Sequence, residues 1–328
     1  MSRISVIGAG AWGTTLSILL AATGHDVTLW CYEKERAGRM RELRENRSFL
    51  PGFPLGQAIV PTADAQATGG ADLFVLTVPT QFLGGTIGQF SKLIPPSAVV
   101  VSASKGIEER SLKLPLELIA AAVNNKNLCV LSGPNLSSEI ARGLPAAAVA
   151  ASADLAIAKR VQQCLMQERF RVYTNTDVLG LQLGGALKNV IAIAAGIADG
   201  LQLGDNAKAG LLIRGLAEIT RLGVAMGAKA ETFAGLSGMG DLIATCASRL
   251  SRNHLVGESI ARGKKLSDIL QAMKDVAEGV PTARAARELG KKFKVGLPIT
   301  EQVNLVLYEG KDPSQAISEL MSRAATSE

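Results

Sequence analysis

The feature that most constrains this chain lies at its start. The apolar stretch Arg3–Ile7 runs directly into Gly8-Ala9-Gly10-Ala11-Trp12-Gly13, and a helical pattern continues to about Thr23. A short strand, a glycine turn and a helix in that order leave few folds open. Gly8 permits the tight turn, Gly10 lets the backbone approach a pyrophosphate, and Gly13 lets the helix pack on the sheet. The helix start then faces the phosphate charge. A structural glycine turn is the plainer alternative, and the position between strand and helix argues against it. The pattern therefore predicts a dinucleotide-binding unit.

The rest of the first half fits that beginning. Asp26–Trp30 is a second strand, and apolar runs of strand length follow at 71–78, 98–102, 128–131 and 146–150, with a last one at 171–175. Runs without polar alternation are buried on both faces, which is the habit of parallel strands between helical layers. After Asp177 long Ala/Leu/Gly-rich helical periodicity takes over, broken near 235–240, 279–281 and 296–298. The expected architecture is an α/β Rossmann-like domain, doubly wound on a mostly parallel sheet, at 1–176. An all-α domain follows at 177–328, with the substrate site expected in the cleft between the two.

Composition narrows the function classes. Apolar residues make up 47% and charged residues 20% of 328, an ordinary globular balance rather than disorder. The formal charge of +6 is spread out. Its densest cluster, Lys34 to Arg47, is interleaved with Glu33, Glu35, Glu42 and Glu45, and reads as a solvated helix face. Neither a basic stripe nor aromatic platforms are present, so no nucleic-acid partner is expected. Cys31, Cys129, Cys164 and Cys246 are scattered and pair in no CxxC, and the only histidines are His25 and His254. That predicts free thiols in a reducing cytoplasm and no metal site. The stretch 178–198 is apolar enough to cross a membrane, yet it carries Gln182, Lys188 and Asn189 and lacks basic anchors, so a buried helix is expected and no transmembrane segment.

Lys188 is the only charged side chain between Asp177 and Asp199. Burial disfavours an ammonium, so such a lysine persists only if it is paired or chemically useful. One reading is a general acid beside a hydride donor, with Asn189 orienting substrate. The other is a structural lysine paired with an acid such as Asp241. Gly238-Met239-Gly240-Asp241 is followed four residues on by Thr245, so Asp241 and Thr245 share a helix face. Asp241 can tune a lysine or simply cap a helix. Ser251-Arg252-Asn253 suits bidentate phosphate recognition or forms a surface turn, and His254 beside it reads as a bystander. Lys105 follows the 98–102 strand and lies on the sheet edge where ligands bind, although a loop lysine is often only solvated. After the second strand, Glu33 can hold a ribose, whereas Lys34 or Arg36 can neutralise a 2′-phosphate; plain surface residues fit equally.

Taken together these elements resemble the bacterial-type NAD(P)-dependent glycerol-3-phosphate dehydrogenase family over nearly the whole chain. The ordered set is GAGAWG at Gly8, SKG at Ser104, SGP at Ser132, QLGGALKN at Gln182, GMGD at Gly238, TC at Thr245, SRN at Ser251 and VAEG at Val276. Asn135 stands where the family often has Ser or Thr, Cys31 and Tyr32 where arginine is frequent, and Met239 where leucine is usual.

The resemblance implies interconversion of dihydroxyacetone phosphate and sn-glycerol 3-phosphate with NAD or NADP, supplying glycerol 3-phosphate for phospholipid synthesis. Lys188 is then the proton donor, with Asp241 and Lys105 beside it in the catalytic set. Substrate contacts fall to Lys105, Gly133, Asn135, Asn189, Asp241, Thr245, Ser251, Arg252 and Asn253. Cofactor contacts fall to Gly8, Gly10, Ala11, Trp12, Gly13, Tyr32, Lys105, Ser137, Arg252, Val276 and Glu278. The partner is a small phosphorylated three-carbon molecule, and the assembly a homodimer. A related 6-phosphogluconate or β-hydroxyacid dehydrogenase and a catalytically silent nicotinamide-binding sensor are the competing readings. The catalytic reading requires the Lys188 amine to be shielded from water and to face the nicotinamide ring.

Overall fold

The structure, a computed structural model, describes residues 1–273 and 275–323. Two compact units divide the chain. The first comprises Met1–Lys105 and Lys113–Gln182; the second comprises Gly106–Leu112 and the chain from Leu183 onward.

In the first unit ten strands form: β1 Arg3–Ile7, β2 Asp26–Trp30, β3 Glu45–Asn46, β4 Leu50–Pro54, β5 Ile59–Thr62, β6 Leu73–Leu76, β7 Val99–Ser102, β8 Leu128–Ser132, β9 Ala146–Ala151 and β10 Phe170–Asn175. Eight of them make one sheet in the order β10-β9-β8-β7-β6-β1-β2-β5. Every pair is parallel except β8 with β9, so β9 and β10 run against the rest. This is the doubly wound, mostly parallel sheet expected from the sequence. Its central strands β6 and β7 are buried at every position, as their unbroken apolar sequences require. Val6, Val75 and Val101 lie in one core cluster with Leu16 and Leu20 of the helix Ala11–Ala22. That helix buries hydroxyls as well as aliphatics. Thr15 and Ser17 donate back to Ala11 O and Gly13 O at 2.9 and 2.8 Å, so neither hydroxyl is left without a partner.

Two features depart from the sequence expectation. The charged cluster from Lys34 to Arg47 is not a single helix face. The helix ends at Leu43, and Arg44 turns left-handed at φ 50°. The Arg44 guanidinium donates to Leu55 O at 2.9 and 3.2 Å and also reaches Gly56 O, tying down the turn. Glu45 and Arg47 consequently lie in or beside the β3–β4 hairpin. The edge strand β5 is the second departure. Its short sequence is apolar but interrupted by Pro61, which lowers its strand signal.

The second unit is helical among its described residues. Val178–Gly200 is a single helix of 23 residues whose first turn belongs to the first unit and whose remainder, from Leu183, belongs to the second. It is the one helix, among the described residues, long and apolar enough to cross a membrane, and 83% of its most apolar window is buried inside the protein. Leu183, Leu187, Val190, Ile191, Ile193 and Ala195 are all buried, covering its circumference with protein. A Cβ built on Gly196 would lie 2.0 Å from His254 O, and one on Gly257 would lie 1.9 Å from Ile193 O. The helix Arg252–Ala261 therefore rests on Val178–Gly200 backbone to backbone, a contact that any larger residue would push apart.

Glu218 fastens the helix Pro298–Tyr308. Its buried carboxylate accepts from Ile299 N and Thr300 N at 2.8 and 2.9 Å and from Thr300 Oγ1 at 2.6 Å. Burial pushes this carboxyl above its ordinary value, and the three hydrogen bonds oppose the shift. The segment Gly106–Leu112 joins this unit through Ile107 N, 3.4 Å from Thr282 Oγ1, and through Glu109, 2.9 Å from Arg284. Nothing in its composition announces that attachment.

Candidate functional site

In the first unit the glycine turn has the geometry its sequence implies. Gly8 sits at φ 113°, and its N–H donates to Trp30 O at 3.1 Å. A Cβ on Gly13 would lie 1.9 Å from Gly8 O, so only glycine lets the helix close on the turn. Gly10 caps that helix, and a Cβ built there meets nothing within 4 Å. Open space thus borders the unpaired N–H groups of a 12-residue helix, the arrangement that accepts a pyrophosphate. Ala11 and Trp12 begin the helix, and the buried Trp12 Nε1 has no hydrogen-bond partner in the structure.

Asn46 braces this turn from below and escaped the sequence reading. It is fully buried, and its Nδ2 donates to Ala9 O and to Thr14 Oγ1, both at 2.8 Å. Thr77 Oγ1 adds a bond to Gly8 O at 2.7 Å. A lone asparagine in a charged stretch carries no periodic signature, so only the hairpin's placement reveals its role.

After β2 the candidate cofactor selectors are resolved differently from one another. Tyr32 is exposed, its ring edge-on to Trp30. Cys31 is buried, and burial pushes its thiol up to about 11. Glu33 pairs with Arg36 at 2.9 Å, while the Arg36 guanidinium lies 4.5 Å above the Phe49 ring. Glu33 and Arg36 are one ion pair rather than two independent selectors.

The parallel registers place the ends of β1, β6, β7 and β8 along one edge of the sheet. Lys105, beyond β7, is not merely solvated. Its Nζ donates to Gly133 O, beyond β8, at 2.7 Å. Gly133 is left-handed at φ 137°. Asn135 Nδ2 donates to Ala147 O at 3.2 Å, whereas its buried Oδ1 and the buried Ser102 and Ser132 hydroxyls have no hydrogen-bond partner. Ser137 opens a short helix, and its carbonyl accepts from Thr15 Oγ1 at 3.2 Å.

The second unit builds its own cluster around Lys188, which is 6% exposed. Its Nζ lies 2.5 Å from Asp241 Oδ1 and 2.6 Å from Thr245 Oγ1. Thr245 Oγ1 also lies 3.3 Å from Asp241 Oδ1. Asp241 and Thr245 do share a helix face, one turn apart on Asp241–Ala247. A five-residue π turn, Leu236–Gly240, delivers Asp241; such turns recur at functional sites. Gly184, one turn before Lys188, lets that segment approach, since a Cβ there would lie 2.6 Å from Ser237 O. The pairing foreseen as the structural alternative is therefore present. The pairing and the chemical reading are compatible, because a paired amine can still serve as a general acid.

Asn189 and Asn253 are buried together, with Asn253 Nδ2 donating to Asn189 Oδ1 at 2.9 Å. Ser251 is the N-cap of the helix Arg252–Ala261, its hydroxyl accepting from His254 N at 3.2 Å. The triplet Ser251-Arg252-Asn253 is thus a helix start rather than a loose surface turn. Arg252 remains about half exposed, with Asp275 at 3.7 Å. Val276 and Glu278 are partly exposed just before the helix Gly279–Phe293. His254 pairs with Asp199 at 2.7 Å, and Asp199 also accepts from Lys208 at 2.6 Å. Burial opposes ionisation of Asp199, but these two partners outweigh it and hold the carboxyl below its ordinary value. Among the described residues no group of His, Cys, Asp and Glu could hold a metal ion.

Comparison with known proteins accounts for both units. Residues 3–158 match the family model for the N-terminus of NAD-dependent glycerol-3-phosphate dehydrogenase, and residues 177–318 match the model for its C-terminus. A glycerol-3-phosphate dehydrogenase [NAD(P)+] of Geobacter sulfurreducens is 52% identical, covering 98% of this chain and 97% of its own. The crystal structure of glycerol-3-phosphate dehydrogenase from Coxiella burnetii superposes with a TM-score of 0.94 at 36% identity, covering 98% and 99% of the two chains. A glycerol-3-phosphate dehydrogenase from Saccharomyces cerevisiae gives a TM-score of 0.83 at 25% identity over 98% and 99%. The chain belongs to the NAD-dependent glycerol-3-phosphate dehydrogenase family, and so is an oxidoreductase that uses NAD or NADP.

Proposed function

We propose that this enzyme reduces dihydroxyacetone phosphate to sn-glycerol 3-phosphate, and catalyses the reverse oxidation, with Lys188 as the group that gives and takes the proton. The observation that carries the reading is the buried Lys188 amine held at 2.5 and 2.6 Å by Asp241 and Thr245.

The glycine turn fits a dinucleotide, with open space at Gly10 and the helix start beside it. When bound, the reduced nicotinamide supplies a hydride to the substrate's carbonyl carbon. The chain's own residues do the rest. Hydride addition breaks the C=O π bond and leaves the electron pair on oxygen. Lys188 Nζ delivers a proton to that oxygen as charge develops, so ketone, hydride and proton together give the secondary alcohol. Oxidation runs the same steps backwards, with the amine accepting the proton. Asp241 and Thr245 fix the Nζ position. Lys105, Gly133, Asn135, Asn189, Ser251 and Arg252 are assigned to the substrate, Arg252 to its phosphate, because a planar guanidinium suits two phosphate oxygens. Ala11, Trp12, Tyr32, Ser137, Val276 and Glu278 are assigned with the glycine turn to the cofactor. The product is the phosphorylated glycerol needed for phospholipid synthesis, made in the cytoplasm by a homodimer.

Oxidation of NADH and NADPH with a panel of ketones tests this reading. Turnover is expected with dihydroxyacetone phosphate and very little with unphosphorylated dihydroxyacetone. Equal rates on both would remove the phosphate role of Arg252, and no turnover of the phosphate ester with either cofactor would remove the reaction. Sedimentation of the purified protein tests the homodimer, which a monomer at assay concentration would contradict.

A further inference from the structure

The carboxyl end of β2 lies against the glycine turn. Gly8 N–H donates to Trp30 O at 3.1 Å, and Ile7 and Trp30 are partners in the parallel register. A domain of this kind receives the adenosine ribose there. An acidic side chain about twenty residues beyond the glycines holds the 2′-hydroxyl of NAD, whereas a nearby arginine accepts the 2′-phosphate of NADP. Glu33 stands twenty residues after Gly13, and Arg36 follows three residues later, so this chain carries both residue types. Their contacts decide between them.

Glu33 stands immediately before the helix Lys34–Leu43. Its Oε1 accepts from Arg36 Nη2 at 2.9 Å, and its Oε2 accepts from the Cys31 thiol at 3.5 Å. Cys31 is itself fixed, since it is buried and its N–H donates to Thr62 O at 2.8 Å. The Glu33 carboxylate is thus held in place while nearly half exposed, and it has further lone pairs to offer a ligand. Arg36 is committed on two sides. One nitrogen goes to Glu33, and the face of the guanidinium lies 4.5 Å over the Phe49 ring. Phe49 N–H donates to Asn46 O at 3.3 Å, and Asn46 holds Ala9 O and Thr14. The hairpin that braces the glycine turn therefore also occupies the guanidinium. Lys34 is exposed on the first residue of the helix, and residues one apart do not face the same side, so it is not aligned with the pair.

We infer that Glu33 is the residue that selects the cofactor, and that this enzyme binds NADH in preference to NADPH. The carboxylate accepts from the ribose hydroxyl and repels a 2′-phosphate, while Glu33 and Phe49 keep the Arg36 guanidinium from accepting one. The inference rests on the use of NAD or NADP by the family and is independent of the role given to Lys188. A phosphate monoester carries about −1.5 to −2 charge at pH 7. Its repulsion by a neighbouring carboxylate is worth about tenfold in affinity even at the dielectric of water. To bind NADPH through Arg36, the protein would have to give up the ion pair and the aromatic contact together.

Fluorescence titration of the full-length enzyme with NADH and with NADPH, in the absence of substrate, tests this. The wild type is expected to bind NADH about tenfold or more tighter. Glu33→Gln keeps the size of the side chain but removes its charge and loosens Arg36. It is expected to bring the two affinities within about threefold, chiefly by tightening NADPH. Because the discrimination is electrostatic, the wild-type preference should narrow as ionic strength is raised. Wild-type affinity for NADPH equal to or greater than that for NADH would overturn the inference. So would equal weakening of both cofactors in Glu33→Gln, which would leave the carboxylate only a support for its helix. A preference for NADH that widens with salt would mean that Arg36 or Lys34 receives the phosphate, and would overturn it as well. An enzyme that binds as expected but is idle on dihydroxyacetone phosphate would instead sink the reaction and leave the selection standing.

Discussion

The glycine turn and the lysine cluster solve their problems by opposite means. The turn is written in consecutive residues, Gly8 to Gly13, and acts through its backbone: a positive φ at one end, a close approach at the other and unpaired helix N–H groups between. The cluster is assembled from side chains far apart in sequence. Lys188 is 53 residues from Asp241 and 57 from Thr245, and Asn189 is 64 from Asn253. Local backbone chemistry is legible in a single sequence because its spacing is the mechanism. A side-chain cluster becomes legible only when helix packing brings its members together.

The contrast predicts different failures. The largest belongs to the cluster. Asp241→Ala leaves the Lys188 ammonium buried without its carboxylate, and breaking such a pair costs about 3–5 kcal/mol. Chemical denaturation of the variant should register most of that loss together with a collapse in turnover. A wild-type midpoint would mean that the ion pair contributes little and that the cluster resembles the turn more than supposed.

In the turn, two glycines that look alike in sequence should separate. Gly13→Ala drives a methyl group to within 1.9 Å of Gly8 O and should lower both thermal stability and NADH affinity. Gly10→Ala meets nothing within 4 Å in the protein, so stability should stay near wild type. NADH affinity should nonetheless fall about tenfold or more, since the methyl group occupies the space left for the pyrophosphate. Equal effects of the two substitutions on unfolding would erase the distinction between a glycine needed for the fold and one needed for the ligand.

Glu218 gives the smallest and most selective effect, because it is a buried acid with no place in either region. Burial raises its carboxyl in the folded state above the unfolded value. A raised group binds its proton more tightly when folded, so it contributes stability below its unfolded value that is lost as pH rises through its folded value. Glu218→Gln removes that dependence. Melting temperatures measured down from neutral pH toward the carboxylate range should therefore find the wild type gaining on the variant as pH falls. Parallel curves would show that Glu218 does not titrate differently on folding.

The sequence makes the sheet legible through unalternating runs such as Leu73–Leu76 and Val99–Ser102, since a strand covered on both faces has no polar side to display. It hides the β3–β4 hairpin because Glu45 and Asn46 continue a charged helical pattern, and only the left-handed Arg44 stops it. Asn46 is hidden for the same reason, although it holds the glycine turn by two bonds of 2.8 Å. Lys188 stands out from its apolar surroundings, but its partners do not: Asp241 at a helix start and Asn253 after an arginine are commonplace by themselves.

The measurement that bears most directly on the central claim is the turnover of Lys188→Met with dihydroxyacetone phosphate, alongside its NADH affinity by fluorescence titration. Methionine fills a similar apolar volume but carries no proton. The variant should fold, bind NADH as the wild type does and lose about 10²–10⁴-fold in kcat, the range for a removed general acid. Wild-type kcat in a folded Lys188→Met enzyme would contradict the claim and leave the buried amine a structural partner of Asp241.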